Sequence, residues 1–143
     1  MKTKPKLSVG AHIARLYRQG QTLLIKEYKA LGIGAGQYQF LIQLYLEDGL
    51  SHEELTERVS VDKAMTTRAV TKLEEEGYVV REVNANDKRK YHIHLTPKAL
   101  QKKDEVFRIS TIWENKLTVN ITDEELQQLH KILNKITHQY NPE

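Results

Sequence analysis

The side chains of this 143-residue sequence that are best suited to binding chemistry lie on one predicted helix, residues 62–76. At about 100° per residue, Thr66, Ala69 and Leu73 share one inward side, and polar, cationic or small residues face the other way. Threonine hydroxyls and a guanidinium can bond base edges or phosphates, and small side chains let a helix enter a major groove about 12 Å wide. The residues predicted to contact the major groove are Lys63, Ala64, Thr67, Arg68, Thr71 and Lys72.

A run of cations follows this helix within residues 86–90, Asn-Asp-Lys-Arg-Lys. The run separates two segments of alternating residues, 79–83 and 91–95, and such a pair predicts a β-hairpin with the charged run as its loop. A guanidinium on a loop that reaches past the globule suits a narrow and strongly negative minor groove. An ordinary charged hairpin loop is the alternative. The predicted minor-groove contacts are Asp87, Lys88, Arg89 and Lys90.

Two further residues, Ser51 and Arg81, are predicted to contact DNA phosphates. Ser51 opens the helix that precedes the predicted recognition helix, and Arg81 lies on the first strand of the hairpin. Contacts of this kind position a protein on the duplex without reading its sequence. For Arg81, a plain surface arginine is an equally good interpretation.

The elements that must position these groups follow from caps and periodicity. Ser51-x-x-Glu54 and Thr122-x-x-Glu125 are capping boxes, and a connection of two residues after the first capped helix is short enough for a helix-turn-helix. The chain is therefore predicted to be mainly α with a small β-hairpin, as a six-helix winged helix-turn-helix. The predicted helices span residues 8–31, 37–47, 51–59, 62–76, 97–119 and from 122 toward the C-terminus.

Composition limits the classes of function. A net charge of +3, from 22 Lys+Arg against 19 Asp+Glu, permits a nucleic-acid partner without demonstrating one. The absence of cysteine excludes disulfides and thiolate metal sites. No signal-peptide pattern and no apolar run of about 20 residues is present, which predicts a cytoplasmic protein that does not enter a membrane. No nucleophile–base spacing, phosphate loop or pair of carboxylates indicates an enzyme, and no cofactor is predicted.

Several short motifs occur in a fixed order along the chain. They are Gly49-Leu50-Ser51-x-x-Glu54-Leu55, Val61-Asp62-Lys63, Val70-x-x-Leu73-x-x-x-Gly77-Tyr78-Val79, Asp87-x-Arg89 and Leu95-Thr96-Pro97. Through these motifs, nearly the whole chain resembles the MarR family (multiple antibiotic resistance type) of bacterial and archaeal regulators. The chain departs from the usual pattern of that family at Met65-Thr66 and in the acidic run Glu74-Glu75-Glu76.

The resemblance implies a sequence-specific transcriptional regulator, most often a ligand-responsive repressor, that binds a palindromic operator as an obligate-type homodimer. Residues 37–96 would form the DNA-binding lobe, and residues 1–36 with 97–143 the dimerisation lobe. Apolar stripes on the first and last helices independently favour burial against each other or against a second copy. The predicted dimer-interface residues are Val9, Ile13, Leu126, Leu129, Leu133, Ile136 and Tyr140.

The resemblance also implies a cleft that accepts a phenolic or other aromatic anion. An acid of that kind is best bound by a cation or imidazole beside aromatic walls, although ordinary core packing is the alternative for the same residues. His92-x-His94 places two imidazoles on one strand face, but no third ligand is evident and no metal site is predicted. A winged-helix protein-interaction module and a metal-responsive regulator remain as alternative functions. The candidate effector residues are His12, Arg15, Tyr38 and Tyr45.

Overall fold

The computed structural model describes residues 6–139, and within that range the chain forms six helices and three short strands. The predicted six-helix winged helix-turn-helix architecture is confirmed. The chain divides into two compact units between Ser110 and Thr111, inside the fifth helix. The division into a DNA-binding lobe and a dimerisation lobe stays a prediction. The elements are α1 (Val9–Lys29), α2 (Tyr38–Leu46), β1 (Leu50–Ser51), α3 (His52–Val59), α4 (Lys63–Glu75), β2 (Val79–Asn84), β3 (Asp87–Leu95), α5 (Pro97–Thr118) and α6 (Asp123–Gln139).

Tyrosine side chains join the helices of the first unit. Tyr28 of α1 is fully buried, its ring stacks on Tyr38 of α2 at 5.0 Å between centroids, and its hydroxyl donates to the Val106 carbonyl of α5 at 3.1 Å. The hydroxyl of Tyr45, also on α2, donates to the Ala99 carbonyl of α5. Each hydroxyl needs such an acceptor, because an unpaired buried polar group costs about 1–3 kcal/mol. These contacts join α1, α2 and α5 to one another.

The turn between α3 and α4 is fixed by caps at both of its ends. Ser51 and Glu54 form the predicted capping box, with each backbone N–H donating to the other residue's side chain at 3.1 Å. Ser60 ends α3 in the left-handed region at φ 60°. Asp62 then begins α4 by accepting a hydrogen bond from the Met65 N–H at 2.7 Å. A capping residue of this kind typically contributes about 1 kcal/mol.

The strands form one antiparallel sheet in the order β1-β3-β2. β2 pairs with β3 along its length, and the last pair joins Asn84 to Asp87. The prediction of a charged loop over residues 86–90 is therefore wrong in its extent, because only Ala85 and Asn86 form the turn and residues 88–90 lie on β3. A strand that is polar on both faces shows no alternation of apolar and polar residues. The charged start of β3 therefore could not be predicted as a strand from its residue pattern.

Strand β1 was not predicted. Its two residues, Leu50 and Ser51, pair with Ile93 and His92 of β3. A segment of two residues is too short to show periodicity, so sequence reasoning could not find it. The pairing joins the beginning of α3 directly to β3, the central strand of the sheet, which places the helix-turn-helix and the hairpin in one connected structure.

The second unit contains the end of α5 and all of α6. The predicted capping box opens α6: the Glu125 N–H donates to Thr122 Oγ1 at 3.2 Å, and the Thr122 N–H donates to Glu125 Oε1 at 3.0 Å. These hydrogen bonds to the carboxylate lower the pKa of Glu125. No described residue of α6 is buried, and its apolar stripe is exposed at Leu129, Ile132, Leu133 and Ile136.

Replacement of Leu55 by alanine should lower the free energy of unfolding by about 2–5 kcal/mol, because Leu55 is fully buried and the change leaves a cavity. The matched control is Leu100→Ala on α5, where the side chain is 58% exposed and the cost should stay below about 0.5 kcal/mol. Denaturant unfolding of the two variants measures both values. Equal losses in the two variants would contradict the core described above.

Candidate nucleic-acid interface

Helix α4 has one buried side and one exposed side, as predicted. Thr66, Ala69, Val70 and Leu73 are each at most 3% exposed. Five of the six residues predicted to reach the major groove are exposed, and the sixth, Thr71, is half-buried. The first turn contains no acidic residue. The exposed residues are Lys63, Ala64, Thr67, Arg68 and Lys72.

Thr66 is a polar residue in the buried side of α4, and it has partners there. It is fully buried, and its Oγ1 lies 2.8 Å from Thr56 Oγ1 and 3.3 Å from the Asp62 carbonyl oxygen. A threonine is tolerated at this core position because its hydroxyl is satisfied by α3 on one side and by the preceding turn of α4 on the other. The departure from the usual family pattern at Thr66 therefore leaves the packing intact.

The hydroxyl of Thr67 is held by two contacts. It donates to the Lys63 carbonyl one turn earlier at 3.0 Å, and it lies 3.0 Å from Nε2 of His52, the first residue of α3. The imidazole of His52 also meets the ring of Tyr91 on β3 edge-on, with centroids 5.6 Å apart at 74°. Sequence reasoning missed His52, since no pattern of spacing signals a contact between residues fifteen positions apart on different helices.

Arg81, a predicted phosphate contact, lies against α4 in this structure. Its Nη2 donates to Thr71 Oγ1 at 2.8 Å, and its guanidinium carbon lies 4.9 Å from the centroid of the Tyr91 ring. Its Nε is 3.2 Å from Glu74 Oε1, but the N–H does not point at that oxygen, so the contact is an ion pair rather than a hydrogen bond. The guanidinium thus connects β2 to α4 and β3. A phosphate contact from Arg81 stays a prediction.

The cationic end of the hairpin is open to solvent. The Arg89 side chain is 92% exposed, and its backbone N–H donates to Asp87 Oδ1 at 3.0 Å. Arg89 Nε also lies 3.4 Å from the same oxygen, a weak contact that holds the guanidinium only loosely. Lys88 and Lys90 are exposed as well. An extended and weakly paired guanidinium can be transferred to another anion at little cost.

A cleft of about 410 Å³ is lined by the start of α3, by Lys63 of α4 and by residues of the hairpin. Cations line it from α4 and β3, carboxylates line it from α3, and the N-terminus of α3 carries the positive end of the helix dipole. Ser51 is on this edge, and the hydrogen bonds from Ser51 hold the pKa of the Glu54 carboxyl below its ordinary value. The residues that line the cleft are Ser51, His52, Glu53, Glu54, Lys63, Asn84, Arg89, Lys90, Tyr91 and His92.

The two strand histidines are used in local contacts. His92 Nδ1 lies 2.9 Å from the Gly49 carbonyl oxygen, and His94 Nε2 lies 2.9 Å from Glu82 Oε2. Among residues 6–139, no group of three or more histidine or acidic side chains is arranged to hold a metal ion. None of the helices in the same range combines the length and the apolar character required to span a bilayer.

The four candidate effector residues differ in their exposure to solvent. His12 and Arg15 are exposed on α1, whereas Tyr38 and Tyr45 are 5% and 9% exposed in the core. Burial raises the pKa of both tyrosines. An effector site at these four residues stays a prediction.

The predicted dimer residues are exposed wherever they are described, except for Leu126, which is half-buried. Val9 and Ile13 on α1 are 65% and 49% exposed. Tyr140 lies outside the described residues. The interface itself stays a prediction. The exposed members on α6 are Leu129, Leu133 and Ile136.

The chain is similar to a known protein family and to several solved structures. The model of the MarR family matches residues 33–91. The HTH-type transcriptional regulator BilQ of Clostridioides difficile (strain CD3) is 30% identical over 112 residues, which are 78% of this chain and 74% of that protein. The crystal structure of a MarR transcriptional regulator from Methanosarcina mazei Go1 is 34% identical with a TM-score of 0.84, and the match covers 92% of this chain and 94% of that one.

A further solved structure has the same fold and holds DNA. It is a MarR family regulator from Listeria monocytogenes complexed with 26mer DNA, 22% identical with a TM-score of 0.87 over 94% of this chain and 89% of that one. A helix-turn-helix with an exposed polar second helix and a cationic wing defines a winged-helix DNA-binding regulator. The chain belongs to the MarR family, whose members are transcriptional regulators and not enzymes.

The ring of His52 should titrate below its ordinary pKa of about 6.5. Burial is the largest cause of the lowered pKa of His52, and the nearby cations Arg81 and Lys63 lower it further. A histidine whose folded pKa is depressed contributes stability above its unfolded pKa and loses it as the pH falls through the folded value. The free energy of unfolding of the wild type, measured relative to that of His52→Gln, should therefore fall only as the pH drops below about 6.5.

Proton NMR of the imidazole and unfolding at several pH values measure these two effects. Arg81→Gln removes one cation and should raise the pKa of His52 part of the way back toward its ordinary value. Titration at or above the ordinary value in the wild type would show that the ring is solvated and separate from the two cations.

Proposed function

We propose that this regulator binds a specific operator by placing the first half of α4 in the major groove and the end of the β2–β3 hairpin in the adjacent minor groove. The observation that carries the proposal is the exposed row Lys63, Ala64, Thr67 and Arg68, which lies on the first turns of a helix whose other side is fixed in the core. Hydroxyl, cationic and small side chains on such a row match what base edges and phosphates require. The DNA complex of the Listeria monocytogenes regulator supports this choice.

The acidic end of α4 sets how deeply the helix can insert. Glu74, Glu75 and Glu76 would repel phosphates, and Glu75 lies along the axis about 10 Å beyond Arg68 at 1.5 Å per residue. Two of these carboxylates have internal partners, since Glu75 is 3.4 Å from Lys72 Nζ and Glu74 is paired with Arg81. The helix therefore enters by its N-terminal half, and its acidic end stays outside the groove.

The functional form is a homodimer that binds an inverted-repeat operator. Exposed apolar residues on α1 and α6, among them Val9, Leu129 and Ile136, supply the surface for a second copy. A two-fold dimer presents two recognition helices about one DNA turn, or 34 Å, apart. Selection of bound duplexes from a random pool tests this directly: inverted half-sites at a fixed spacing support the dimer, and a single unpaired half-site contradicts it.

We further propose that the protein is a repressor and that a small aromatic acid relieves the repression. We also propose that it acts in the cytoplasm, where a bacterial or archaeal chromosome lies. His12 and Arg15 are exposed on α1 and can offer an imidazole and a guanidinium to a weak acid. The acid must bind unequally to two dimer geometries, because only differential affinity can change the spacing of the recognition helices. Repeating the duplex selection with candidate acids tests the response, and unchanged enrichment with every acid would count against it.

Replacement of Arg68 by alanine should relax base preference at one position of each half-site. A bidentate arginine–guanine contact is worth about 1–3 kcal/mol, so affinity for the preferred operator should fall roughly 5- to 150-fold, with a smaller effect on random duplex. Titration of both duplexes at one fixed salt concentration measures the ratio. The matched control is Arg108→Ala, an exposed arginine on α5, which should leave both affinities unchanged.

Replacement of Arg89 by alanine should weaken binding to specific and random duplexes by similar factors. If the guanidinium neutralises one phosphate in or beside the minor groove, the slope of log affinity against log salt should become shallower by about 0.9. Affinity measured across a series of salt concentrations gives this slope. A winged-helix protein-interaction module would instead show no salt-dependent duplex binding in the wild type or in either variant.

A further inference from the structure

His52 contacts both of the elements that are proposed to enter DNA. Its Nε2 lies 3.0 Å from Thr67 Oγ1 on α4, and its ring meets Tyr91 of β3 edge-on. We propose that His52 is a positioning residue that fixes the side chain of Thr67 and thereby sets the base preference at the position that Thr67 reads. This inference rests on the proposed function, because it requires the exposed side of α4 to face bases.

The direction of the His52–Thr67 hydrogen bond follows from the number of available protons. The Thr67 hydroxyl has one hydrogen, which it donates to the Lys63 carbonyl. The imidazole must therefore donate from Nε2, and Thr67 Oγ1 accepts. A hydroxyl has one donor and two acceptor positions, so Thr67 has one lone pair left over for a base.

The two contacts select one rotamer of Thr67. In helices, threonine divides between two χ1 wells, and one of them lets Oγ1 bond the carbonyl one turn earlier. Thr67 occupies the well in which Oγ1 reaches Lys63, and the N–H of His52 stabilises the same position of the oxygen. Loss of the donor would let the side chain populate both wells, and the two wells present the methyl and hydroxyl groups to a groove differently.

This fixed rotamer limits what Thr67 can recognise. With its proton already donated, Oγ1 can accept from the amino group of adenine or cytosine, but it cannot donate to guanine or to the thymine carbonyl. The methyl group can in addition contact the thymine methyl. The half-site position read by Thr67 should accordingly distinguish bases by their amino and methyl groups.

His52 is itself held in place from several sides. Tyr91 packs against its ring, and Arg81, which is stacked on Tyr91, also donates to Thr71. Burial is the largest cause of the lowered pKa of His52, and Arg81 and Lys63 lower it further, whereas Glu53 and a hydrogen bond to the Lys63 backbone raise it. The net lowering of the pKa favours the uncharged ring.

The test compares His52→Phe with His52→Gln. Phenylalanine keeps a ring beside Tyr91 but cannot donate, whereas glutamine keeps an N–H donor on a flexible chain. Thr67→Val replaces the hydroxyl by a methyl group and identifies the base pair that Thr67 reads. The measured quantity is the ratio of affinities for the selected operator and for operators that carry each alternative base pair at that position.

We expect Thr67→Val and His52→Phe to lower this ratio about 5- to 10-fold at the same base pair, since a mismatched base pair typically changes affinity by at least this factor. The double variant should lower it no further than either single variant, because both changes remove one shared interaction. His52→Gln should keep the ratio within about twofold. His52→Ala provides a second variant without the donor if His52→Phe folds poorly, and thermal melts verify the fold of each.

Three outcomes would overturn the inference. His52→Phe and His52→Ala could leave every base preference within about twofold, they could weaken all duplexes equally, or their effects could add fully to that of Thr67→Val. If His52 had a purely structural role, its replacement would weaken binding to all duplexes equally and would leave the ratio of affinities unchanged. If the wild type itself has no sequence preference, or if Arg68→Ala and Thr67→Val are both without effect, the proposed function fails first and this inference fails with it.

Discussion

The burial of one side of α4 is the constraint on which the rest of this molecule depends. Ala69, Val70 and Leu73 are removed from water almost completely, and burial of a side chain the size of valine or leucine contributes about 1.5–3 kcal/mol. That packing fixes the rotation of the helix about its own axis. The side that carries Thr67 and Arg68 must then face outward, because turning that side inward would bring Val70 and Leu73 out of the core.

Polar contacts connect this helix to α3 and to the hairpin. Strand β1 joins the start of α3 to β3, His52 bridges α3 to α4, and Arg81 bridges β2 to α4 while stacking on Tyr91. The bond from Arg81 to Thr71 is part-buried and competes less with water than a bond on an open surface, whereas the contact between His52 and Thr67 is exposed. Helix α4 and the hairpin are consequently parts of one supported surface, and a rigid support of this kind holds side chains closer to a single geometry.

Sequence reasoning succeeded where the signal was local or periodic. The capping box at Ser51, the cap at Asp62 and the inward set on α4 were all readable, because a cap needs only neighbouring residues and an amphipathic helix repeats every 3.6 residues. The same reasoning gave the wrong limits for the hairpin loop and missed β1, because a two-residue strand and a strand that is polar on both faces have no period. It predicted either a phosphate contact or a plain surface position for Arg81 and did not anticipate the contacts of its side chain with Thr71 and Glu74.

The sequence by itself determined the helices, the turn that joins α3 to α4, the family and the outward face of the recognition helix, since each depends on neighbouring residues or on a repeated pattern. Only the tertiary structure decided which polar side chains on that face are already engaged. Thr67 Oγ1 is already in contact with His52, and Arg81 is already held by Thr71 and Glu74. A hydrogen-bond donor or acceptor is satisfied by a partner that is close in space. Residue spacing along the chain does not reveal such a partner when it lies on a different element.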